Sequence, residues 1–160
     1  CIRDRSEATV ISNPITVDHT ILRQYIFPSL MNLLASNRHH ELPQRVYELG
    51  GVVHGGGNKT RVSWACAESG AGFSTAKGIV QSLLRDLGAP VSSVSFEPVA
   101  VGRGPWIDGR GARVLIEDHE IGEFGEVSPE VMSLFGLRAP IHAGEFDIDM
   151  ISKMVKDPIH

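Results

Sequence analysis

The chain has little cysteine: Cys1 and Cys66 are the only two in 160 residues. Two thiols cannot build a disulfide framework, and neither stands in a metal-binding spacing. Long apolar runs are also missing. No stretch approaches the roughly 18 residues needed to cross a bilayer, and Cys1-Ile2-Arg3-Asp4-Arg5 carries no signal-peptide core. No membrane partner is expected, and a reducing cytoplasm is the expected setting. Asn58-Lys59-Thr60 fits a glycosylation pattern, which without secretion is read as accidental. Basic charge is not in excess, with 15 Lys and Arg against 19 Asp and Glu. This argues against a chain wrapped directly on nucleic acid and leaves only local basic patches. The first residue is not Met, so the chain is expected to be a piece of a longer polypeptide.

What is present suits one globular domain over residues 1–160, with 42% hydrophobic and 21% charged residues and enough length for a sizeable core. Thr9–Ser12 reads as a strand ended by Asn13-Pro14. Asp18 caps a short helix over about 18–26, and Pro28 opens a second that reaches about 37. Leu22, Ile26, Leu30, Leu33 and Leu34 repeat at helical spacing, and Ile21, Phe27 and Met31 widen the apolar arc. So broad an arc requires burial on more than one side, in the chain's own core or against a partner.

Gln44–His54 reads as a strand with a bulge or bend at Gly50-Gly51. A turn at 55–58 leads to a strand over 60–68 that carries Val62, Trp64 and Cys66 on one face. The spacing of Ala76, Ile79, Val80, Leu83, Leu84 and Leu87 predicts a helix over 75–87, stopped by Gly88. A strand over 91–101 is interrupted by Pro98, and 102–111 reads as a Gly- and Arg-rich loop. Strands over 112–116 and 121–127 pair across Glu117–Glu120. Ser128-Pro129-Glu130 starts a short helix closed by Gly136, and a strand over 139–147 precedes a helix over 149–155. Consecutive strand pairs and uneven helices predict an α+β fold with a mainly antiparallel sheet.

Candidate chemistry is sparse. His54-Gly55-Gly56-Gly57 is similar to an esterase oxyanion loop but has no Gly-x-Ser-x-Gly elbow to serve, so it reads as a turn. His39-His40-Glu41 places neighbouring imidazoles in different directions and reads as a solvated helix end. Lys77 near a helix start is unfavourable for the dipole, which hints at a carboxylate neighbour, with a plain exposed lysine the favoured reading. Glu117, Asp118, Glu120, Glu123 and Glu126 read as a solvated hairpin, with Glu123 and Glu126 facing opposite ways. Arg103, Trp106, Arg110 and Arg113 form the densest basic segment. It reads as a structural loop or as a contact for RNA or another subunit.

In order, several segments resemble the phenylalanyl-tRNA synthetase β chain of the archaeal and eukaryotic type. These are Asn13-Pro14, Leu22-Arg23, Phe27-Pro28-Ser29-Leu30, Asn37, Tyr47-Glu48-Leu49-Gly50, Lys77-Gly78, Gly109-Arg110-Gly111-Ala112, Ile121-Gly122-Glu123 through Pro129-Glu130-Val131, and Phe135-Gly136-Leu137. The likeness runs from about 9 to 150, with Gln24-Tyr25, Ser29 and Tyr47 departing from the family pattern.

The resemblance implies a class II aminoacyl-tRNA synthetase-like core, a mainly antiparallel sheet flanked by helices. It also implies a module with no catalytic, cofactor or metal residues of its own. Such cores hold ATP by an Arg-x-Glu loop and a Gly-x-Gly-x-Gly-x-x-Arg segment; after Glu48 there is no Arg-x-Glu, and the glycine-rich segment occurs nowhere in the sequence. ATP and magnesium would act through the α subunit, in a heterotetramer of two αβ pairs that charges tRNA(Phe). The helix at 18–37 would form the subunit interface through Leu22, Arg23, Ile26, Phe27, Leu30, Met31 and Leu34. An independent domain binding a small molecule or tRNA is the competing expectation.

Overall fold

The computed structural model describes residues 23–70 and 72–155. The expected strand at 9–12, Asn13-Pro14, the Asp18 cap and Leu22 lie outside them.

Six strands form one sheet: β1 (Gln44–His54), β2 (Gly57–Ala67), β3 (Val94–Pro98), β4 (Trp106–Ile116), β5 (His119–Val127) and β6 (Ile141–Asp147). Their order is β1-β2-β6-β5-β4-β3, and every neighbouring pair is antiparallel. Four helices, α1 (Phe27–Ser36), α2 (Phe73–Asp86), α3 (Pro129–Leu134) and α4 (Ile148–Met154), complete the described fold. It is the α+β arrangement the strand pairs predict.

The two sheet faces are buried differently. On one, α1 and α3 cover a core that includes Leu30, Leu34, Ala65, Ala143, Val127 and Met132. On the other, α2 and α4 cover Val80, Leu84, Val114, Phe124, Phe146 and Ile151. Val62, Trp64 and Cys66 belong to this second face together, as period-2 alternation requires.

Local chemistry explains most ends. Pro28 lies in the first turn of α1, where its missing amide has no intrahelical partner to lose. Ser128 caps α3 by accepting from the Val131 amide, and Asp147 caps α4 by accepting from the Met150 amide. Glu117 and Asp118 form the two-residue turn between β4 and β5, both with positive φ, the geometry that matches strand twist in a tight hairpin. Gly55 and Gly56 do the same between β1 and β2, so His54-Gly55-Gly56-Gly57 is a turn.

Several expectations are corrected. Residues 23–26 are not helical, and the helix begins at Phe27. β1 and β2 stay in register through Gly50 and Gly51, so no bulge occurs there. Strand β3 is shorter than the expected 91–101, because residues 91–93 form a 3-10 turn and Pro98 ends the strand. The Gly- and Arg-rich stretch is not a free loop. Trp106 to Gly111 are part of β4, with a register shift that lays the Trp106 ring against the Gly111 Cα. A β-carbon at Gly111 would come within 2.7 Å of that ring, so glycine makes the shift possible. Among the described residues Lys77 meets no carboxylate, and its ammonium lies over the Phe96 ring, 5.1 Å from the centroid.

Candidate functional site

A row of polar residues crosses the sheet beside α1. Strand register sets Glu97 opposite Arg113, Arg113 opposite Glu123, Glu123 opposite Glu145, Glu145 opposite Ser63, and Ser63 opposite Glu48. Directly opposed residues share a face, so the row spans all six strands. Next to it, Arg61 stands opposite Asp147.

Glu145 is the centre of the row. Its Oε1 accepts from the Ile26 and Phe27 amides at 2.8 and 2.7 Å, and its Oε2 accepts from Arg61 Nε at 2.7 Å. Ile26, the N-cap of α1, supplies no side-chain cap, and the first turn holds no acid. Glu145 therefore serves as a cap delivered from β6. Burial pushes its carboxyl above the ordinary glutamate range, against the opposing pull of Arg61 and the two amides.

A cavity of about 240 Å³ opens over this region. β2 contributes Lys59 and Arg61, β6 contributes Glu145 and Asp147, and β5 contributes Glu120 and Glu123. Tyr25, Phe27 and Trp106 supply aromatic walls, with His54 and Arg103 also lining it. The Arg61 guanidinium lies over the Tyr25 ring at 5.4 Å. Asp147 is held by the Met150 amide and by Lys59, 3.6 Å away. Trp106 Nε1 donates to Glu123 at 3.3 Å. Glu120 pairs with Arg113 at 3.3 Å, and Arg113 also pairs with Glu97.

The opposite face has its own polar group. His142, fully buried, meets Glu68 through Nε2 at 2.8 Å, and Arg45 reaches the same carboxylate at 3.1 Å. The His142 contact, more than Arg45, holds the Glu68 carboxyl below its ordinary range. Burial pushes the Cys66 thiol up, which leaves it a packing residue rather than a nucleophile.

The residues expected at a subunit interface separate. Ile26, Phe27, Leu30, Met31 and Leu34 are at most 5% exposed and pack in this chain's own core. Of the two ways to bury the broad arc, the core is the one observed for these five. Arg23 remains part-exposed, bonded to the Gly51 carbonyl at 3.0 Å and to Glu48 at 2.7 Å.

The basic segment separates as well. Trp106 is buried beside Phe27 with ring centroids 6.1 Å apart, so it is no stacking platform for a base. Arg110 pairs at 2.7 Å with Glu126, whose other oxygen accepts from the Phe73 amide at the start of α2. Arg113 is bound within the row. Arg103 alone of the three arginines has no side-chain partner among the described residues. Glu123 and Glu126 do face opposite ways, one toward Trp106 and one toward α2.

The sequence reading missed Glu145, Arg61, Tyr25, Lys59, Asp147 and His54 as cavity residues. One signal was available: Ile141, Ala143, Glu145 and Asp147 share one face of β6, where the acids break an apolar pattern.

Among the described residues, no group of three His, Cys, Asp or Glu side chains is placed to hold a metal ion, and no helix is long and apolar enough to cross a membrane. The solved structure of a pyrrolysyl tRNA synthetase, PylSc from Desulfitobacterium hafniense, has the same fold. Its TM-score is 0.73 at 12% identity, over 95% of this chain and 58% of that one. The sheet and its helices thus have the class II aminoacyl-tRNA synthetase-like fold. In sequence, the chain is 38% identical over 148 residues to the phenylalanine–tRNA ligase β subunit of Methanothrix thermoacetophila, covering 92% of this chain. It is 40% identical over 148 residues to that of Methanopyrus kandleri, covering 88%. It spans about a quarter of their length, 26% and 24%. The family described as the phenylalanyl tRNA synthetase beta chain CLM domain matches residues 2–148, and the chain belongs to that family.

Proposed function

We propose that the chain is a non-catalytic module of a phenylalanine–tRNA ligase β subunit, a class II core retained as architecture. It supports an α subunit that joins phenylalanine to tRNA(Phe) with ATP and magnesium, in a cytoplasmic heterotetramer of two αβ pairs. One observation carries the inert reading: the cations of the polar row are engaged by carboxylates of the same fold. Arg61 holds Glu145, Arg113 holds Glu97 and Glu120, and Lys59 faces Asp147. Stabilising a phosphoryl or acyl-phosphate transition state requires cations preorganised toward the ligand. These residues do not fit a nucleoside triphosphate with its magnesium.

The partner surface belongs outside the packed side of α1. Tyr47 and Leu49, 80% and 61% exposed, alternate on β1 at the sheet edge, and Leu33 projects from α1 at 44%. Exposed large apolar side chains of this kind suit a subunit contact.

Co-expression with the α subunit tests this reading. Tyr47→Lys with Leu49→Lys is expected to abolish co-purification while the unfolding midpoint of the chain stays within about 2 °C, a change of at most about 1 kcal/mol for a domain of this size. Retained assembly removes the β1 edge from the interface. Phenylalanine-dependent ATP–pyrophosphate exchange by the chain alone would overturn the inert reading.

A further inference from the structure

The sheet ends in two unlike edges. β3 is five residues long and stops at Pro98, a short, proline-ended edge of the kind that resists extension. β1, at the other end, is 11 residues long, and part of its outer side is bare. The Val53 amide donates to the Arg23 carbonyl, and the Gly51 carbonyl accepts from Arg23 Nε, so the main-chain groups of these two β1 residues point away from β2. In an antiparallel ladder that direction repeats at every second residue, and the register with β2 is unbroken from Gln44 to His54. The amides and carbonyls of Arg45, Tyr47 and Leu49 therefore point outward too, and they have no partner among the described residues. The charged side chains of this stretch are neutralised within the chain: Arg45 pairs with Glu68 and Glu48 with Arg23. What remains is a line of unpaired main-chain groups beside the exposed Tyr47 and Leu49, which stand opposite Trp64 and Val62 of β2.

We infer that this edge takes one added strand: an extended, uncharged and apolar segment of the α subunit pairs with residues 45–49 of β1 and lengthens the sheet. The inference rests on the reading of the β1 edge as a subunit contact and deepens it. Exposed apolar side chains alone would accept a helix or a strand. Three residues with free donors and acceptors on one line decide for the strand, because an extended backbone offers matching groups at the same spacing. A docked helix, its main chain already self-bonded, would bury those groups unpaired. With both charges beside the edge already neutralised, an uncharged segment is the complementary one. A second copy of this chain fits less well: two β1 edges paired antiparallel about Tyr47 would set each Arg45 against a Leu49 of the other copy.

The assembled ligase tests the added strand. Tyr47→Pro and Tyr47→Ala both remove the phenol ring, but only proline also removes the outward amide, which β2 does not use. Proline is expected to weaken association with the α subunit at least about tenfold more than alanine does. Residue-resolved hydrogen exchange on the unmodified ligase needs no variant and decides the matter if the proline chain fails to fold. Amides 45, 47 and 49 are expected to exchange within about tenfold of the inward amides 46 and 48. Photolysis of the ligase with p-benzoylphenylalanine in place of Tyr47 is expected to cross-link to the α subunit. Equal weakening by proline and alanine in folded chains, outward amides faster than the inward ones by more than about tenfold, or a cross-link confined to β subunits would each overturn the added strand. If the double-lysine variant loses assembly while any of these results holds, the edge is a subunit contact made without strand pairing. If the double-lysine variant assembles, the contact itself is removed.

Discussion

Glu145 Oε1 accepts the Phe27 amide at 2.7 Å across a separation of 118 residues, and the Ile26 amide at 2.8 Å across 119. The last strand thereby caps the first described helix. A helix with no local cap and no acid in its first turn depends on this contact to satisfy its leading donors.

Removing that carboxylate therefore has consequences at both ends. Glu145→Ala leaves two amides and the part-buried Arg61 without an acceptor, and is expected to cost about 3–5 kcal/mol. Glu145→Gln keeps one acceptor oxygen for the amides but turns an amide group toward Arg61, and is expected to cost about 1–3 kcal/mol. Urea unfolding curves measure both, and a loss below about 1 kcal/mol for the alanine variant would refute the capping role.

Two glycines make opposite demands. A β-carbon at Gly122 would lie 2.2 Å from the Glu145 carbonyl oxygen and 2.6 Å from the Phe146 ring. Only strand displacement relieves backbone overlap of that kind, so Gly122→Ala is expected to cost about 3 kcal/mol or more. Gly78 lies inside α2 with nothing within 4 Å of its would-be β-carbon. Gly78→Ala is expected to stabilise by about 0.5–1 kcal/mol. Melting temperatures of the two variants should move in opposite directions.

The two glutamates respond to pH with opposite sign. The Glu68 carboxyl is held low, chiefly by His142 and then by Arg45. Its contribution is present above the ordinary glutamate range and is lost as pH falls through that range toward the lowered value. Glu68→Gln should flatten the acid limb of stability against pH. The Glu145 carboxyl is raised by burial. Its contribution is complete below the ordinary range and is lost as pH rises through the raised value, so Glu145→Gln should flatten the decline on that side. Urea midpoints at intervals from about pH 3 to 7 read both slopes.

Arg110 and Arg113 are tied to Glu126 and to Glu97 and Glu120. Reversing either charge is expected to lower the melting temperature and to leave unchanged the salt dependence of tRNA binding by the assembled ligase. A fall of about one in the slope of log K against log salt for either variant would reveal a phosphate contact instead.

The sequence by itself determined the family and most of the elements. Period-2 and period-3.6 patterns, Pro28, Ser128-Pro129 and the Gly55-Gly56 turn act within a few residues, so they are legible along the chain. The ordered motifs likewise identify the class II β-chain module without reference to packing. The direction in which an apolar arc is buried is not local. The broad arc at residues 26–34 fits a core or an interface equally well in sequence, and the sheet beneath α1 decided for the core at Ile26, Phe27, Leu30, Met31 and Leu34. The surroundings of the basic segment are not local either. Arg110 and Arg113 are close in sequence, but they pair with different carboxylates, Glu126 for one and Glu97 with Glu120 for the other. The capping of α1 by Glu145 and the cavity between His54 and Arg103 depend on strand order β1-β2-β6-β5-β4, which brings residues some 50 to 120 positions apart onto one surface. Hydrogen bonds and charge pairs act over a few ångströms of space, so only tertiary structure settles which residues share them.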